Sequence, residues 1–290
     1  MEVDDVHSWR QLNVAFPAWT TAERTAVDHL APLMVAAANE GLIRSWFFIR
    51  KAPCWRMRYL PATDPPRTET CLLRRLSPLQ QARRIVTVTP VVYEPETHAF
   101  GGTQGMASAH RLFHLDSRHL LAYLADSRAG GGHRRALSVL LCISLLRGAG
   151  LDWYEQGDVW ARVADHREPP GEPTTGRLGK LRDDLRLLMT VDAPSPADHA
   201  TARAFTAGWA DAFSTAGREL AGLAATAQLH RGLRAVLAHH IIFAWNRHGL
   251  PRSAQAALAH SAKTVVFGPD PTAEPRPQKD TEAWTTPAAD

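Results

Sequence analysis

A short segment of the sequence brings together side chains that commonly transfer protons. Glu94, Glu96 and His98 fall within five positions, directly after Tyr93 and shortly before a pair of glycines. Carboxylates and imidazoles are frequent general acids and bases, and histidine titrates near neutral pH without much tuning. Glu96 is the first candidate because it follows a predicted strand, with His98 and Tyr93 as alternative proton carriers. A solvated loop carboxylate is the competing structural role for Glu96. The segment predicts acid/base chemistry on a polar, peptidic substrate.

Positive charge is concentrated a little upstream of this segment. Arg50, Lys51, Arg56 and Arg58 fall within nine positions around Trp55. Alternate side chains of a strand share a face, so Arg56 and Arg58 are predicted to point into one space. Two guanidinium groups there could stabilise a developing oxyanion or hold a leaving carboxylate. An exposed pair on a strand face is the alternative, and Arg50, Lys51 and Trp55 fit substrate binding.

A predicted helix at residues 229–247 supplies further polar side chains. His240 and Arg247 lie on one of its faces at two-turn spacing, while Asn246 lies on a neighbouring face. If this helix borders the site, His240 reaches the same cavity and Arg247 and Asn246 contact the substrate. The alternative for Asn246 and Arg247 is a helix C-cap. Arg118 is a further candidate for lining the pocket.

Composition excludes several classes of protein. The chain has 290 residues, 45% of them hydrophobic and 21% charged, with a net charge of +4, as in ordinary globular proteins. Three cysteines without a CxxC pair favour a reducing compartment. No signal peptide is evident, and the longest apolar run, residues 136–146, is too short to cross a membrane. The sequence therefore predicts a soluble, cytoplasmic protein.

Cofactor and nucleic-acid motifs are missing from the sequence. It contains no HExxH, no Cys/His quartet, no GxGxxG and no Walker-type phosphate loop. Neither a metal nor an organic cofactor is therefore expected. Arginine content alone supports nucleic-acid binding, without a motif or a concentrated patch, so this partner is not expected either.

Periodicity predicts strands early in the chain and helices later. Strands are predicted at residues 8–17, 43–50, 55–60 and 85–93, and residues 61–67 form a loop by composition. The first helix, ending near Gly41, is predicted to begin with Thr20 and Glu23 as a capping box. Asp116 or Ser117 is predicted to cap a second helix. Further helices are predicted at residues 136–146, 153–164, 198–223, 229–247 and 253–266.

This order of elements predicts an α+β fold, with a mixed β-sheet in the N-terminal part packed with a mainly helical C-terminal part. Residues 1–268 are predicted to form a single domain. The tail at residues 269–290 is rich in proline, threonine and charge, a composition typical of disorder.

Five segments, in their order and spacing, resemble one family: Trp46–Arg50, Trp55–Tyr59, Glu94–Gly102, Leu112–Arg118 and Trp245–Leu250. They are similar to the thiopeptide-type bacteriocin biosynthesis family, which is related to the C-terminal elimination domain of lantibiotic dehydratases. The resemblance extends from about Trp9 to Gly268. It implies an enzyme whose partners are a ribosomally made precursor peptide with its leader and other biosynthetic enzymes of the pathway. Glu96 matches a glutamate of the elimination domain, and Arg56 and Arg58 match its Arg-x-Arg pair.

Two reactions are implied by this resemblance. Elimination domains remove glutamate from a glutamylated serine or threonine. Pyridine synthases join two dehydroalanines in a formal aza-[4+2] cycloaddition, with loss of water and of the leader peptide, and so close a macrocycle. The elimination pattern carries an arginine where this chain has Ala99 and a histidine where it has Ala244, so the sequence favours the pyridine synthase. The alternatives are a stand-alone elimination component of a split dehydratase and a non-catalytic partner that binds the precursor.

Overall fold

One four-stranded antiparallel sheet forms the N-terminal part of the protein. The computed structural model describes residues 8–126, 134–168, 175–190 and 200–268. The strands run in the order β2-β3-β1-β4, and each of the three pairings is antiparallel. The sheet is therefore antiparallel rather than mixed, and the predicted α+β class is confirmed. The strands are β1 (Arg10–Ala15), β2 (Ile43–Lys51), β3 (Cys54–Pro61) and β4 (Thr87–Val91).

Helices make up most of the remaining described residues. Two of them precede β2 and are joined by a π-helical segment at Ala26–Leu30, a third separates β3 from β4, and the others follow the sheet. They are α1 (Trp19–Thr25), α2 (Ala31–Asn39), α3 (Pro65–Gln81), α4 (Thr103–Ala125), α5 (Arg134–Gly148), α6 (Trp153–Asp165), α7 (Thr175–Thr190), α8 (Ala200–Ala225), α9 (Leu233–Arg247) and α10 (Arg252–Phe267). The tail at residues 269–290 lies outside the described residues, and the single domain stays a prediction.

The two faces of the sheet contribute to different apolar clusters. Alternation along β2 sends Trp46 and Phe48 into the main core, which also includes residues of α1, α2 and most later helices. Phe47 and Ile49 point the other way. They belong to a smaller group, here called the second cluster, whose buried members are Trp9, Phe47, Ile49, Leu60, Tyr93, Phe100, Met106, Ala109 and Phe113. The segment after β4 and the first turns of α4 thus cover one half of the sheet.

The two edges of the sheet differ in how they end. Along β2, the edge strand beside α4, the Nδ1 atom of His114 lies 2.8 Å from the carbonyl oxygen of Trp46 and 3.1 Å from its nitrogen. The Phe48 N–H donates to the hydroxyl of Ser117 at 3.3 Å. Helix α4 therefore satisfies backbone groups along that edge. The opposite edge strand, β4, is short and contains Pro90.

Two predictions about where helices begin are wrong. The first helix begins at Trp19, with Ala18 as an N-cap that makes no side-chain hydrogen bond. Glu23 is not a capping residue, because it pairs with Arg50 and Arg134. Part of the expected loop at residues 61–67 is already helical, because α3 begins at Pro65 with Asp64 accepting from the N–H of Arg67.

Asp116 and Ser117 are not helix caps either. Both lie in the middle of α4, where they are buried. By contrast, Gly41 has a φ of +70° directly after α2, a left-handed conformation that favours glycine at helix ends. The predicted end of the first helical region is therefore confirmed.

Candidate functional site

A tight turn places the acid/base segment over β3. The Phe100 N–H donates to the carbonyl of Glu96, and the turn closes through Gly101 and Gly102, which have φ values of +82° and +103°. Residues other than glycine rarely adopt these φ angles. A Cβ atom at Gly105, in the first turn of α4, would lie 1.9 Å from the carbonyl oxygen of Phe100. Glycines therefore fix the path by which the chain passes from the sheet into α4.

Arg58 is the centre of the site. Its side chain is 4% exposed, and its Nε donates to the Gln11 side-chain oxygen at 2.8 Å. The guanidinium carbon lies 4.3 Å from the ring centroid of Tyr93 and 5.4 Å from that of Phe47. Its Nη1 atom is 3.9 Å from Oε2 of Glu96. Burial lowers the pKa of Arg58, an effect that Tyr93 and Glu96 oppose. The sheet thus holds a largely desolvated cation between an aromatic face and a carboxylate.

Tyr93 is paired with a histidine that the sequence analysis did not select. The Tyr93 hydroxyl lies 2.9 Å from Nε2 of His110 in α4, and the His110 ring packs 4.4 Å from that of Trp9. Burial lowers the pKa of His110 to about 3, and the charges of Arg58 and Arg111 add to this effect. Burial also raises the pKa of Tyr93. Near neutral pH this pair is therefore an uncharged phenol beside an uncharged imidazole.

Several polar atoms at this site are buried but have no hydrogen-bond partner among the described residues. They are Nη1 of Arg58, Oε2 of Glu96 and Nδ1 of His110. The Glu96 side chain is otherwise 40% exposed, so its carboxylate reaches from the surface to the buried arginine. Buried polar groups are nearly always hydrogen-bonded. Nη1 of Arg58 and Oε2 of Glu96, which lie 3.9 Å apart, are therefore available to a polar group of a bound substrate.

The structure brings together three of the five predicted catalytic residues. Arg58 contacts both Tyr93 and Glu96. Arg56 lies on the same sheet face as Arg58 but two residues nearer the hairpin, where it is half-buried. His98 is exposed in the turn before Gly101.

Arg50 and Trp55 lie on the other face of the sheet from Glu96. The Arg50 guanidinium packs 4.6 Å from the Trp55 ring and pairs with Glu23. Its Nε donates to the carbonyl of Arg247 at 2.7 Å. Trp55 is stacked on Phe48 within the main core. The sheet therefore separates these two predicted substrate-binding residues from the Arg58 site, and their roles stay predictions.

The other predicted substrate-binding residues are dispersed. Lys51 is exposed in the β2–β3 hairpin, and Arg118 is exposed on α4 beside an apolar groove. The Asn246 side-chain oxygen accepts from Gln255 at 3.1 Å. His240 borders the second cluster, with its ring 4.9 Å from that of Phe100, and burial lowers its pKa to about 4.

Arg247 belongs to a fully buried polar group, here called the Asp116 network. Asp116 accepts from Nε of Arg247 at 2.6 Å and from the indole of Trp209 at 2.9 Å, and Nε2 of His248 lies 2.9 Å away. The Arg247 guanidinium also lies 4.3 Å from the ring centroid of Phe113. Burial alone would raise the pKa of Asp116, but the charges of Arg247 and His248 lower it below its ordinary value. The network joins α4, α8 and α9 behind the second cluster.

Two residues of the site, Gln11 and His110, were missed by the sequence analysis, although the sequence pattern indicates both. Gln11 interrupts the apolar pattern of β1 between Trp9 and Leu12, at a position directed towards Arg58. His110 shares a helical face with Met106 and Phe113, which are buried in the second cluster. A polar residue on a predicted buried face is the signal in each case, because such groups need partners.

The described parts of the chain contain no group of three histidine, cysteine, aspartate or glutamate side chains that could hold a metal ion. None of the helices in those parts combines the length and apolar character needed to cross a membrane.

Nearly the whole sequence matches one known family. Residues 9–266 match the family described as the lantibiotic biosynthesis dehydratase C-terminal region. The chain belongs to this family. The resemblance seen in the sequence is thereby confirmed, and the protein is related to enzymes that modify ribosomally made peptides. No curated protein matches it in sequence.

Two solved structures share the fold of this family member. The tRNA-dependent lantibiotic dehydratase MibB from Microbispora sp. 107891 superimposes with a TM-score of 0.64 at 18% identity, over 90% of this chain. This chain spans 28% of the MibB chain. TbtD, a pyridine synthase from thiomuracin biosynthesis, superimposes with a TM-score of 0.58 at 13% identity, over 89% of this chain and 97% of its own. At sequence identities this low, the two superpositions show a common fold and nothing more.

Proposed function

We propose that this protein is a pyridine synthase that joins two dehydroalanines of a precursor peptide by a formal aza-[4+2] cycloaddition and closes a macrocycle. One observation supports this choice above the others. Arg58, Tyr93 and Glu96 form one site, whereas the two further residues of the elimination pattern are replaced by Ala99 and Ala244. Ala244 is buried in the main core, so its side chain contributes no polar group. The leader-bearing precursor and other enzymes of the pathway are the proposed partners, in the cytoplasm.

The reaction makes demands that this site can meet. A backbone amide must shift a proton from nitrogen to oxygen before two carbon–carbon bonds form. Arg58 donates hydrogen bonds to that oxygen, and Glu96 carries the proton. Water and the leader amide then leave, each taking one proton. The Tyr93 hydroxyl, which its raised pKa keeps protonated, donates to the departing oxygen.

Much of the acceleration in this proposal comes from holding the reacting ends together. Intramolecular positioning of two groups is worth about 7–11 kcal/mol of barrier where the geometry is good. The aromatic side chains around Arg58 are packed against the rigid sheet and α4, so they offer a preorganised wall. No cofactor has a role in this mechanism.

The test is mass spectrometry of the purified protein with a leader-bearing, azole-containing peptide that holds two dehydroalanines. The expected result is release of the intact leader amide and a macrocycle lighter by the leader and one water. Glu96→Gln is expected to reduce the rate by about 100-fold or more, because it removes the proton carrier. The matched control is Glu94→Gln, since Glu94 is exposed two positions away. Equal rates for the two variants would refute the role of Glu96.

A second candidate is glutamate elimination in a split dehydratase. Its structural support is Arg231, whose Nη1 donates to the carbonyl of Ala99 at 3.0 Å and lies 3.3 Å from Nδ1 of His239. An arginine thus reaches the position of the missing one from another element. Loss of glutamate from a glutamylated peptide, with the bis-dehydroalanine peptide unchanged, would establish this reaction. No turnover of either peptide would favour the non-catalytic binding partner.

A further inference from the structure

The sheet face that carries Arg58 continues towards the β2–β3 hairpin, where its side chains are more exposed. Paired residues of an antiparallel sheet share a face, so the strand register arranges the side chains beside Arg58 in rows across the sheet. The first row is Phe47, Arg58, Gln11 and Val91; the second is Ile49, Arg56, Asn13 and Thr89; the third is Lys51, Cys54, Ala15 and Thr87. The second and third rows are here called the outer rows.

Exposure increases from the site towards the hairpin. Arg58 and Gln11 are buried, Arg56 and Asn13 are half-buried, and Lys51 is exposed. Successive rows are two residues apart, which corresponds to about 7 Å along each strand. The outer rows therefore extend about 14 Å from Arg58, the length of about four residues of an extended peptide.

The outer rows carry positive charge without a matching negative charge. Arg56 and Lys51 are the charged residues among the eight in these rows, and neither forms an ion pair with any residue of the described ranges. Arg56 also lies close enough to Arg58 to disfavour its charge. A bound group with partial or full negative charge, such as a carbonyl or a carboxylate, would relieve this repulsion.

A side-chain relay connects the outer rows to the buried site. Gln11 accepts from Arg58 through its Oε1 at 2.8 Å and donates through its Nε2 to Oδ1 of Asn13 at 2.9 Å. The Asn13 oxygen is therefore already used, and its amide nitrogen has hydrogens to offer to an acceptor outside the sheet. This relay gives the outer rows a fixed orientation relative to Arg58.

We propose that the outer rows bind an extended stretch of the substrate peptide next to its reacting residues. Arg56, Asn13 and Lys51 donate to carbonyl or carboxylate oxygens of that stretch, while the chemistry takes place at Arg58. The inference rests on the proposed function for the identity of the substrate. It changes the role of Arg56 from the predicted catalytic residue to a peptide-binding residue.

Binding is tested apart from turnover. The probe is the leader-bearing bis-dehydroalanine peptide with a fluorescent label, and its Kd is measured by anisotropy on the full chain carrying Glu96→Gln. Adding Arg56→Ala or Lys51→Ala is expected to weaken binding by about tenfold each, with a smaller salt dependence, because each removes a charge-assisted contact. The matched controls are Arg24→Ala, whose side chain is 83% exposed on α1, and Lys180→Ala, which is exposed on α7. A Kd equal to that of the controls would overturn the proposal, as would failure of the Glu96→Gln protein to bind the probe.

Kinetics separate binding from catalysis. In the otherwise unchanged protein, Arg56→Ala is expected to raise KM by about tenfold and to leave kcat within about twofold, as loss of uniform binding requires. A lowered kcat with unchanged KM would instead make Arg56 catalytic and overturn the inference. If the protein turns over neither the bis-dehydroalanine nor the glutamylated peptide, the proposed function fails. Binding that still depends on Arg56 would then support the inference alone.

Discussion

Replacing Asp116 by asparagine distinguishes a helix cap from a buried charge network. The variant keeps the size of the side chain but removes the negative charge facing Arg247, whose side chain is 0% exposed. Nη1 and Nη2 of Arg247 have no partner among the described residues, so the guanidinium would be left buried and uncompensated. Breaking a buried ion pair in this way costs about 3–5 kcal/mol. Loss of a helix cap would cost about 1 kcal/mol.

Urea denaturation, followed by circular dichroism and by tryptophan fluorescence, measures this cost. Asp116→Asn is expected to lower the free energy of unfolding by about 3–5 kcal/mol. The matched control is Asp158→Asn, which breaks the partly exposed pairs with Arg162 and Arg234 and should cost less than about 1 kcal/mol.

The double variant Asp116→Leu with Arg247→Met tests the same reasoning from the opposite direction. It removes both charges, so no buried ion remains without a partner. It should therefore be more stable than Asp116→Asn. A loss below about 1 kcal/mol for Asp116→Asn would show that the network does not stabilise the fold as a buried ion pair does.

Two further variants test the surroundings of the site. Since burial lowers the pKa of His110 from 6.5 to about 3, only the unfolded chain binds a proton there between about pH 6.5 and pH 3, and stability is lost as pH falls through this range. His110→Gln should reduce the slope of the unfolding free energy against pH, between pH 6.5 and about 5, by up to about 1.4 kcal/mol per pH unit. An unchanged slope would contradict a neutral His110. Gly105→Ala, whose Cβ would meet the Phe100 carbonyl at 1.9 Å, should lower the unfolding free energy by about 1–3 kcal/mol. The control is Gly222→Ala on α8, where a Cβ atom would meet no neighbouring atom. This variant should not lower the unfolding free energy.

The strands and their faces could be predicted because the sheet is buried unequally on its two sides. The alternation of side chains along β3 predicted that Arg56 and Arg58 lie on the face opposite to that of Trp55, and the structure has them there. The position of Tyr93 and Glu96 beside the sheet was predictable for a similar reason, since both follow shortly after β4, and their catalytic role stays a prediction. Local pattern was therefore sufficient wherever neighbouring residues along the chain determine which way a side chain points.

Helix ends and buried polar residues were predicted less well. Thr20 and Glu23 have the spacing of a capping box, but Glu23 finds two arginines from β2 and α5. Asp116 has the chemistry of a cap, but its partners come from α8 and α9. Such partners are distant in sequence, so neither periodicity nor capping preference contains them. The same holds for His110, whose role depends on Tyr93.

The edges of the sheet bear on how the protein avoids pairing with unfolded chains. An exposed strand edge is a template for aggregation and for accidental strand addition by any extended peptide. Here His114 and Ser117 occupy backbone groups of β2, and Pro90 removes a backbone donor from the short β4. These contacts and Pro90 therefore protect both edges of the sheet against strand addition by an unfolded chain. An extended ligand is directed to side chains rather than to a free backbone ladder.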